Sequence, residues 1–270
     1  MAMKGMSVER EDADAVYIRA AAGEKWHDLV SWTLEQGYGG LENLSWIPGT
    51  VGAAPVQNIG AYGSEVKDCF HSLTEFELRD GKVVELNKSD CQFAYRHSIF
   101  KTDFKDRFVI LNVCFALPTS WKPNVAYAEV EKELAARKML SPGAAEISRV
   151  IIDIRQRKLP DPAVTGNAGS FFKNPAVEQE TLLELKKSHP AIPAYEQPDG
   201  TYRLAAGWLI DQCGWKGRHL GNAGVCETQA LVLVNRGNAS GREIAELAEA
   251  IKKDVFGTFG IWLEPEPVFV

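Results

Sequence analysis

The residues able to do chemistry fall in three short runs. Tyr95-Arg96-His97-Ser98-Ile99-Phe100-Lys101 sets an arginine among aromatic and apolar neighbours. A guanidinium stays protonated and offers a planar fork of donors, which suits a carboxylate or a developing enolate. The same residue reads as well as a surface cation paired with a nearby acid. Gly166 to Pro175, GNAGSFFKNP, places Ser170 after a small glycine-flanked turn and before two phenylalanines. No histidine or other base lies beside it, so the hydroxyl suits proton donation or hydrogen bonding better than nucleophilic attack. An ordinary turn serine is the alternative. Trp262 to Phe269, WLEPEPVF, carries Glu264 and Glu266, each followed by a proline that favours extended backbone. Side chains two apart on a strand share a side, so these carboxylates could serve as an acid/base pair. More often such a pair is a solvated edge protected by proline.

Something must position these groups, and one stretch stands out. Gly37 to Gly63 holds seven glycines and a single charged residue, Glu42. Glycine is costly inside helices and strands, and an exposed loop of this length would carry more charge. Buried irregular backbone is expected, with its N–H and C=O groups needing partners, which a bound cofactor could supply. A glycine-rich linker wrapping a core is the competing reading.

Around that stretch the periodicities predict a strand at 15–22 and a helix at 24–36. Trp26, Leu29, Val30 and Thr33 form the helix face and Gly37 its stop. A hairpin is predicted over 72–86 through Asp80-Gly81, and a strand over 108–117. A short helix is expected near 129–137. Ser141 and Pro142 predict the cap and first residue of a helix over 142–157, with Ile147, Val150, Ile151 and Ile154 inward. LPDP at 159–162 reads as a domain boundary. Beyond it are expected a helix at 181–188, loop at 189–200, a helix at 204–213 and a strand at 230–235. Ser240 should cap a helix over 241–256, and an extended segment should run from Ile261 to Val270. The mixture is α+β.

Composition removes several functions. A net charge of −6 gives no electrostatic case for nucleic acid or an anionic membrane. No apolar run reaches the ~18–20 residues of a membrane span. The five scattered cysteines lack any CxxC pair, so neither a disulfide scaffold nor a metal site is expected. GxGxxG, Walker, HExxH and GxSxG patterns are absent.

The string IPGTVGAAPVQNIGAYG, with GLENL ahead of it, closely resembles the flavin-binding segment of the UDP-N-acetylenolpyruvoylglucosamine reductase (MurB) family. YR-x-S-x-F-K, KLPDP followed by GNAGSFFKNP, and LEPE resemble that family's other signatures, and the likeness runs from about Ile18 to Val270. It implies catalytic roles for Arg96, Ser170 and Glu264, with no role carried over for Glu266. It implies FAD contacts from Ile47, Pro48, Gly49, Thr50, Gly52, Ala53, Ala54, Pro55, Gln57, Asn58, Gly60, Ala61, Tyr62 and Gly63. Tyr127, Lys158, Asn174 and Gln229 match substrate-binding positions. The implied activity is NADPH-dependent reduction of the enolpyruvyl UDP-sugar to UDP-N-acetylmuramate by a cytoplasmic, monomeric flavoenzyme. The implied fold is the second lobe of a two-lobed FAD-binding domain (1–159, with 258–270 returning to it) plus an α+β substrate domain (160–257).

Two departures from the family pattern set further expectations. No Gly-Ser-Asn loop for the FAD pyrophosphate precedes Val16. The chain is therefore expected to lack that lobe and to hold FAD weakly, with apolar surface exposed near Val51, Pro55, Val56 and Ile59. Ala53 and Ala54 stand where close relatives often carry serine, leaving backbone N–H groups to serve. A flavin-free remnant that binds a UDP-sugar or a partner without catalysis is the alternative function.

Overall fold

The computed structural model describes residues 3–269. The chain divides into two compact units, Met1–Arg155 and Gln156–Val270.

In the first unit, β1 (Met6–Glu11), β2 (Ala15–Ala21) and α1 (Trp26–Glu35) precede the glycine-rich stretch. That stretch is irregular, with single 3₁₀ turns at Glu42–Leu44 and Val51–Ala53, and ends in a hairpin of β3 (Gly60–Ala61) and β4 (Ser64–Glu65). A short α2 (Val66–Cys69), β5 (Phe70–Glu77), β6 (Val83–Asn87), β7 (Phe108–Pro118), α3 (Ala128–Ala136) and α4 (Ala144–Lys158) follow; the last three residues of α4 belong to the second unit. The main sheet is antiparallel throughout, in the order β1-β2-β7-β5-β6. Alternation in β2 buries Val16, Ile18 and Ala20. Trp26, Leu29, Val30 and Thr33 are the buried stripe of α1, as the spacing predicts. Trp26 meets Phe115 of β7 edge-on and donates its indole N–H to the Leu44 carbonyl at 2.8 Å, tying helix, sheet and glycine-rich stretch together. A second cluster joins Val130 and Leu134 of α3 to Ile147, Val150, Ile151 and Ile154 of α4. That helix begins at Ala144, not at 142. Gly143 supplies the first helical carbonyl, to Glu146 and Ile147, and its N–H is held by the Glu146 carboxylate at 2.8 Å. Glu146 therefore does the capping expected of Ser141.

The second unit contains β8 (Asn167–Ser170), β9 (Ala176–Val177), α5 (Gln179–Ser188), β10 (Ala194–Glu196), β11 (Tyr202–Leu204), α6 (Ala206–Gln212), β12 (His219–Leu220), β13 (Ala223–Val225), β14 (Val232–Asn235) and α7 (Gly241–Phe259). Two small sheets, β12-β13-β14-β8 and β10-β11-β9, share one core with α6 and α7. Ser240 caps α7 in a reciprocal box with Glu243, and Leu247, Ala248, Ile251 and Val255 turn inward. The predicted loop over 189–200 contains β10, because Tyr195 and Glu196 pair with a strand still to come. Leu204, inside the predicted helix, ends that partner strand, and α6 starts two residues later. β14 begins at Val232 instead of Ala230. The extended segment predicted to Val270 is seen to Phe269, and Val270 lies outside the described residues.

Candidate active site

The glycine-rich stretch is held by its own chain to a greater degree than expected. Val51 N–H donates to Glu24, Gly52 N–H to Ala22, and the N–H groups of Ala53, Ala54, Val56, Asn58 and Ile59 all find carbonyls within the stretch. Gly52 has a packing reason: a Cβ there would lie 2.5 Å from that of Ala22. The N–H groups of Ala53 and Ala54, expected to serve a ligand, are thus taken locally. Val51 and Pro55 are buried in the unit's core, which corrects the expectation of exposed apolar surface there. The open positions are Trp46, Pro48, Gly49, Ala53 and the terminal glycines Gly37 and Gly63, with Ile47, Gln57, Gly60, Ala61 and Tyr62 half-buried.

Arg96 is built onto this stretch. Ala94 and His97 exchange backbone hydrogen bonds at 3.1 Å, which closes a tight turn with Arg96 in left-handed backbone, φ 52°. Its guanidinium donates to the Gly60 carbonyl at 2.7 Å. A Cβ at Gly60 would come within 2.9 Å of the same guanidinium, so glycine is needed there. Two further bonds brace the turn: Ser98 Oγ to the Val56 carbonyl at 2.5 Å and Asn58 Nδ2 to the Ala94 carbonyl at 3.1 Å. Positions 56, 58 and 60 therefore hold residues 98, 94 and 96. Asn58 is fully buried, with its amide also engaging Glu65 and the Lys67 N–H, so its task is to shape the stretch. Ser98 was not singled out by sequence reading, although it stands two residues from Arg96.

Trp46, Asn58, Tyr62 and Arg96 all adopt positive φ, between 48° and 60°. Such backbone is uncommon for residues other than glycine and costs of order 1–3 kcal/mol each. Its concentration in one region marks a site that the surrounding fold holds in place. Arg155, half-buried near the end of α4, donates to the Trp46 carbonyl at 3.1 Å and hydrogen-bonds the Tyr62 hydroxyl. Burial lowers the Arg155 pKa and pushes the Tyr62 phenol up to about 12, so the phenol stays protonated. Tyr127, at the start of α3, is exposed, with its ring edge-on to that of Tyr62.

In the second unit, Ser170 ends β8 opposite Val232 and is half-buried. Gly169 before it has φ 70°, with open space where a Cβ would stand. Asn167 sets this turn: its Oδ1 receives the Gly169 N–H, and its Nδ2 donates to the carbonyls of Pro160 and Thr165. It thereby joins the LPDP loop to the serine strand, a role that spacing could not reveal. The chain continues past Ser170 into a ladder with the C-terminal segment, through Phe172 and Pro265. Lys173 N–H bonds the Glu264 carbonyl, and Glu266 N–H bonds the Phe171 carbonyl at 2.8 Å. The Glu264 carboxylate is 69% exposed and paired with the Lys173 ammonium. Glu266 is half-buried and lies across the ladder from Phe171. Asn174 Oδ1 accepts the first N–H of α6 at 2.9 Å, Gln229 Oε1 accepts the Leu231 N–H at 3.3 Å, and the Lys158 carbonyl receives the Thr228 hydroxyl at 2.7 Å. Among the described residues no cluster of ligating side chains could hold a metal.

The glycine-rich stretch has the chemistry for a neutral, planar ring. Its one carboxylate, Glu42, is buried and engaged by the Gly40 N–H and the Trp121 indole. The Asn43 Oδ1 is buried without a hydrogen-bond partner, an acceptor left over in this segment. Trp46, Pro48, Gly49, Ala53 and Gly63 form the open surface, which fits a flavin ring.

An antiparallel unit with an open glycine-rich surface, followed by a small α+β unit carrying serine and carboxylates, suits a flavin-dependent reductase. The family models divide the chain in the same sense: an FAD binding domain matches residues 1–87, and the C-terminal domain of UDP-N-acetylenolpyruvoylglucosamine reductase matches residues 161–270. The reductase of that name from Paraburkholderia phytofirmans is 56% identical over 270 residues, covering 99% of this chain and 78% of its own length. That of Dechloromonas aromatica is 52% identical over 273 residues, covering 100% and 81%. The solved Thermus caldophilus reductase shares the fold, with a TM-score of 0.61 at 23% identity over 92% of this chain and 70% of that one. This chain belongs to the UDP-N-acetylenolpyruvoylglucosamine reductase (MurB) family.

Proposed function

We propose that the protein uses NADPH to reduce the enolpyruvyl group of UDP-N-acetylenolpyruvoylglucosamine, giving UDP-N-acetylmuramate for peptidoglycan precursor synthesis. The observation that carries the reading is Arg96, a guanidinium set by strained backbone on the carbonyl of Gly60 inside the glycine-rich stretch. The match to an FAD binding domain over residues 1–87 favours this flavoenzyme over a flavin-free binding remnant. When bound, FAD supplies the hydride carrier between NADPH and the substrate's double bond. Trp46 to Gly49, Ala53 and Gly60 to Gly63 would hold its ring.

The protein's own residues then manage charge and protons. Hydride arriving at C3 of the enolpyruvyl group leaves an electron pair at C2, conjugated with the carboxylate. Arg96 stabilises that charge as a fixed cation. Ser170 Oγ–H delivers the proton to C2, and the serine is reprotonated from solvent. A C-terminal glutamate supplies the third polar group. Family resemblance points to Glu264, but its exposure and its tie to Lys173 suit a structural pair, and the half-buried Glu266, opposite Phe171 in the ladder, is the better candidate. Lys158, Asn174, Gln229 and Tyr127 are the candidates for contacts to the UDP-sugar. The enzyme works as a cytoplasmic monomer; no helix among the described residues is long and apolar enough to cross a membrane.

The test is Ser170→Ala in FAD-loaded protein. Reduction of the enolpyruvyl substrate should fall by roughly 10²–10⁴, the range for general acid catalysis, while NADPH still reduces the flavin. Equal loss of both half-reactions would assign Ser170 to binding or folding instead.

A further inference from the structure

Ser170 faces the side it does because β8 holds one extra residue. Phe171 N–H bonds the Leu231 carbonyl and Asn235 N–H bonds the Gly166 carbonyl, both at 2.8 Å, so β8 and β14 are joined at each end. Between those bonds Ser170 lies opposite Val232, and Asn167 opposite Val234. Three steps along β8 therefore span two along β14, which makes a β-bulge. Residues directly opposite share a face. Ser170 thus stands on the side of Val232 and Val234, which cluster with Cys226 and Leu159. Phe171, the next residue, enters the main core of the unit with Leu233. An unbroken register continued from the Asn167–Val234 pair would set position 170 opposite Leu231 and exchange the two faces. The hydroxyl would then turn toward the core and the Phe171 ring away from it.

Asn167 locks this bulge. Gly169 takes the left-handed turn, φ 70°, and its N–H donates to Asn167 Oδ1 at 3.0 Å. Asn167 Nδ2 donates to the carbonyls of Pro160 at 3.0 Å and Thr165 at 2.9 Å. One acceptor and two donors are required here, and a side-chain amide supplies both in this orientation alone. An aspartate would keep the bond from Gly169 but set a charged oxygen against two carbonyls.

We propose that Asn167 is a positioning residue for the Ser170 proton donor and secures protonation of the substrate's C2 on a single face. The inference rests on the functional reading above, in which Ser170 Oγ–H protonates C2. Phe171 and Phe172 stay anchored in the core, so loss of the asparagine loosens the bulge without turning the strand over. The hydroxyl then samples more orientations, and the electron pair left at C2 by hydride addition takes its proton from water instead. Water can approach either side of the trigonal carbon, whereas a fixed hydroxyl reaches one.

The experiment uses FAD-loaded protein and follows the two half-reactions separately by stopped-flow flavin absorbance. In Asn167→Ala, reoxidation of the reduced flavin by the enolpyruvyl UDP-sugar should slow by about 10²-fold, the cost of misplacing a reacting group by about 1 Å. Reduction of the flavin by NADPH should be unchanged. The product's two C2 epimers give separate methyl resonances in proton NMR, because the attached sugar is chiral. The parent protein should yield one epimer and Asn167→Ala a mixture, which a purely structural role would not produce. In the Ser170→Ala background, Asn167→Ala should add little, because the group it positions is gone. Thermal melting and flavin absorbance confirm that each variant is folded and loaded. Asn167→Ser, whose hydroxyl can still accept the Gly169 N–H, replaces Asn167→Ala if the latter does not fold. A single epimer from the Asn167 variant, at whatever rate, overturns the inference. So does an equal loss of both half-reactions, or an equal penalty with and without the Ser170 hydroxyl. The functional reading fails separately: if the parent does not turn this substrate over, or Ser170→Ala does so at the parent's rate, Ser170 is not the donor and this inference falls with it.

Discussion

Glu75 lies in the middle of β5, paired with Val84 on one side and Ile110 on the other, and is fully buried. Neither carboxyl oxygen has a hydrogen-bond partner. Burial pushes its pKa from an ordinary 4.5 up to about 7; nearby Glu77 adds to the rise and Arg107 opposes it. At about 1.4 kcal/mol per pKa unit, ionising it in the fold costs about 3 kcal/mol. The sign follows from proton linkage. Below about pH 4.5 the group is neutral in both states. Between about 4.5 and 7 the unfolded chain releases the proton that the folded chain keeps, so stability falls as pH rises. Above 7 the loss is complete. Glu75→Gln keeps shape and removes the titration, and Glu75→Met also removes the unpartnered oxygens. Urea unfolding of parent and variants from pH 5 to 8 isolates the effect, because other titrations cancel in the difference. The stability gap should widen by about 2–3 kcal/mol across that range in favour of both variants. A gap that stays constant from pH 5 to 8 would refute the reasoning, and a partner that holds Glu75 ionised would have to exist.

Three other substitutions probe the site and its scaffold. Gly60→Ala should displace the Arg96 guanidinium, which a Cβ would meet at 2.9 Å, and crowd Glu65 Cγ at 2.9 Å and the Ser64 carbonyl at 3.0 Å, lowering both the rate of the substrate half-reaction and the melting temperature. Unaltered kinetics would detach Arg96 from its seat on Gly60. Glu266→Gln should depress kcat far more than Glu264→Gln, whose carboxylate is exposed and paired with Lys173; the reverse order would restore Glu264 as the acid. Ser240→Ala removes the α7 capping box and should cost roughly 1 kcal/mol in unfolding free energy, read by denaturant titration, with no change in KM.

Local pattern carried most of the fold into view. The stripe of Trp26, Leu29, Val30 and Thr33, the Asp80-Gly81 hairpin and the Ser240 cap depend on residues close in sequence, and each is found where periodicity and turn chemistry place it. The resemblance likewise rests on long contiguous strings, so the family was legible before any coordinates. What the sequence could not decide depends on partners distant along the chain. β10 forms because Tyr202–Leu204 lies beside it, though its own residues look like loop. The backbone of the glycine-rich stretch bonds carbonyls at Ala22 and Glu24 as well as its own, so the cofactor is not needed to satisfy it. Glu264 and Glu266 are equivalent on paper, two residues apart and each before a proline. Only the ladder with Phe171 to Lys173 separates them, pairing one with a lysine and setting the other, half-buried, opposite Phe171. Glu75 is a charged residue within a strand, and tertiary packing encloses it without a hydrogen-bond partner for its carboxylate. Sequence spacing reports which side chains share a face; burial and hydrogen-bond supply are set by what the rest of the chain brings against that face.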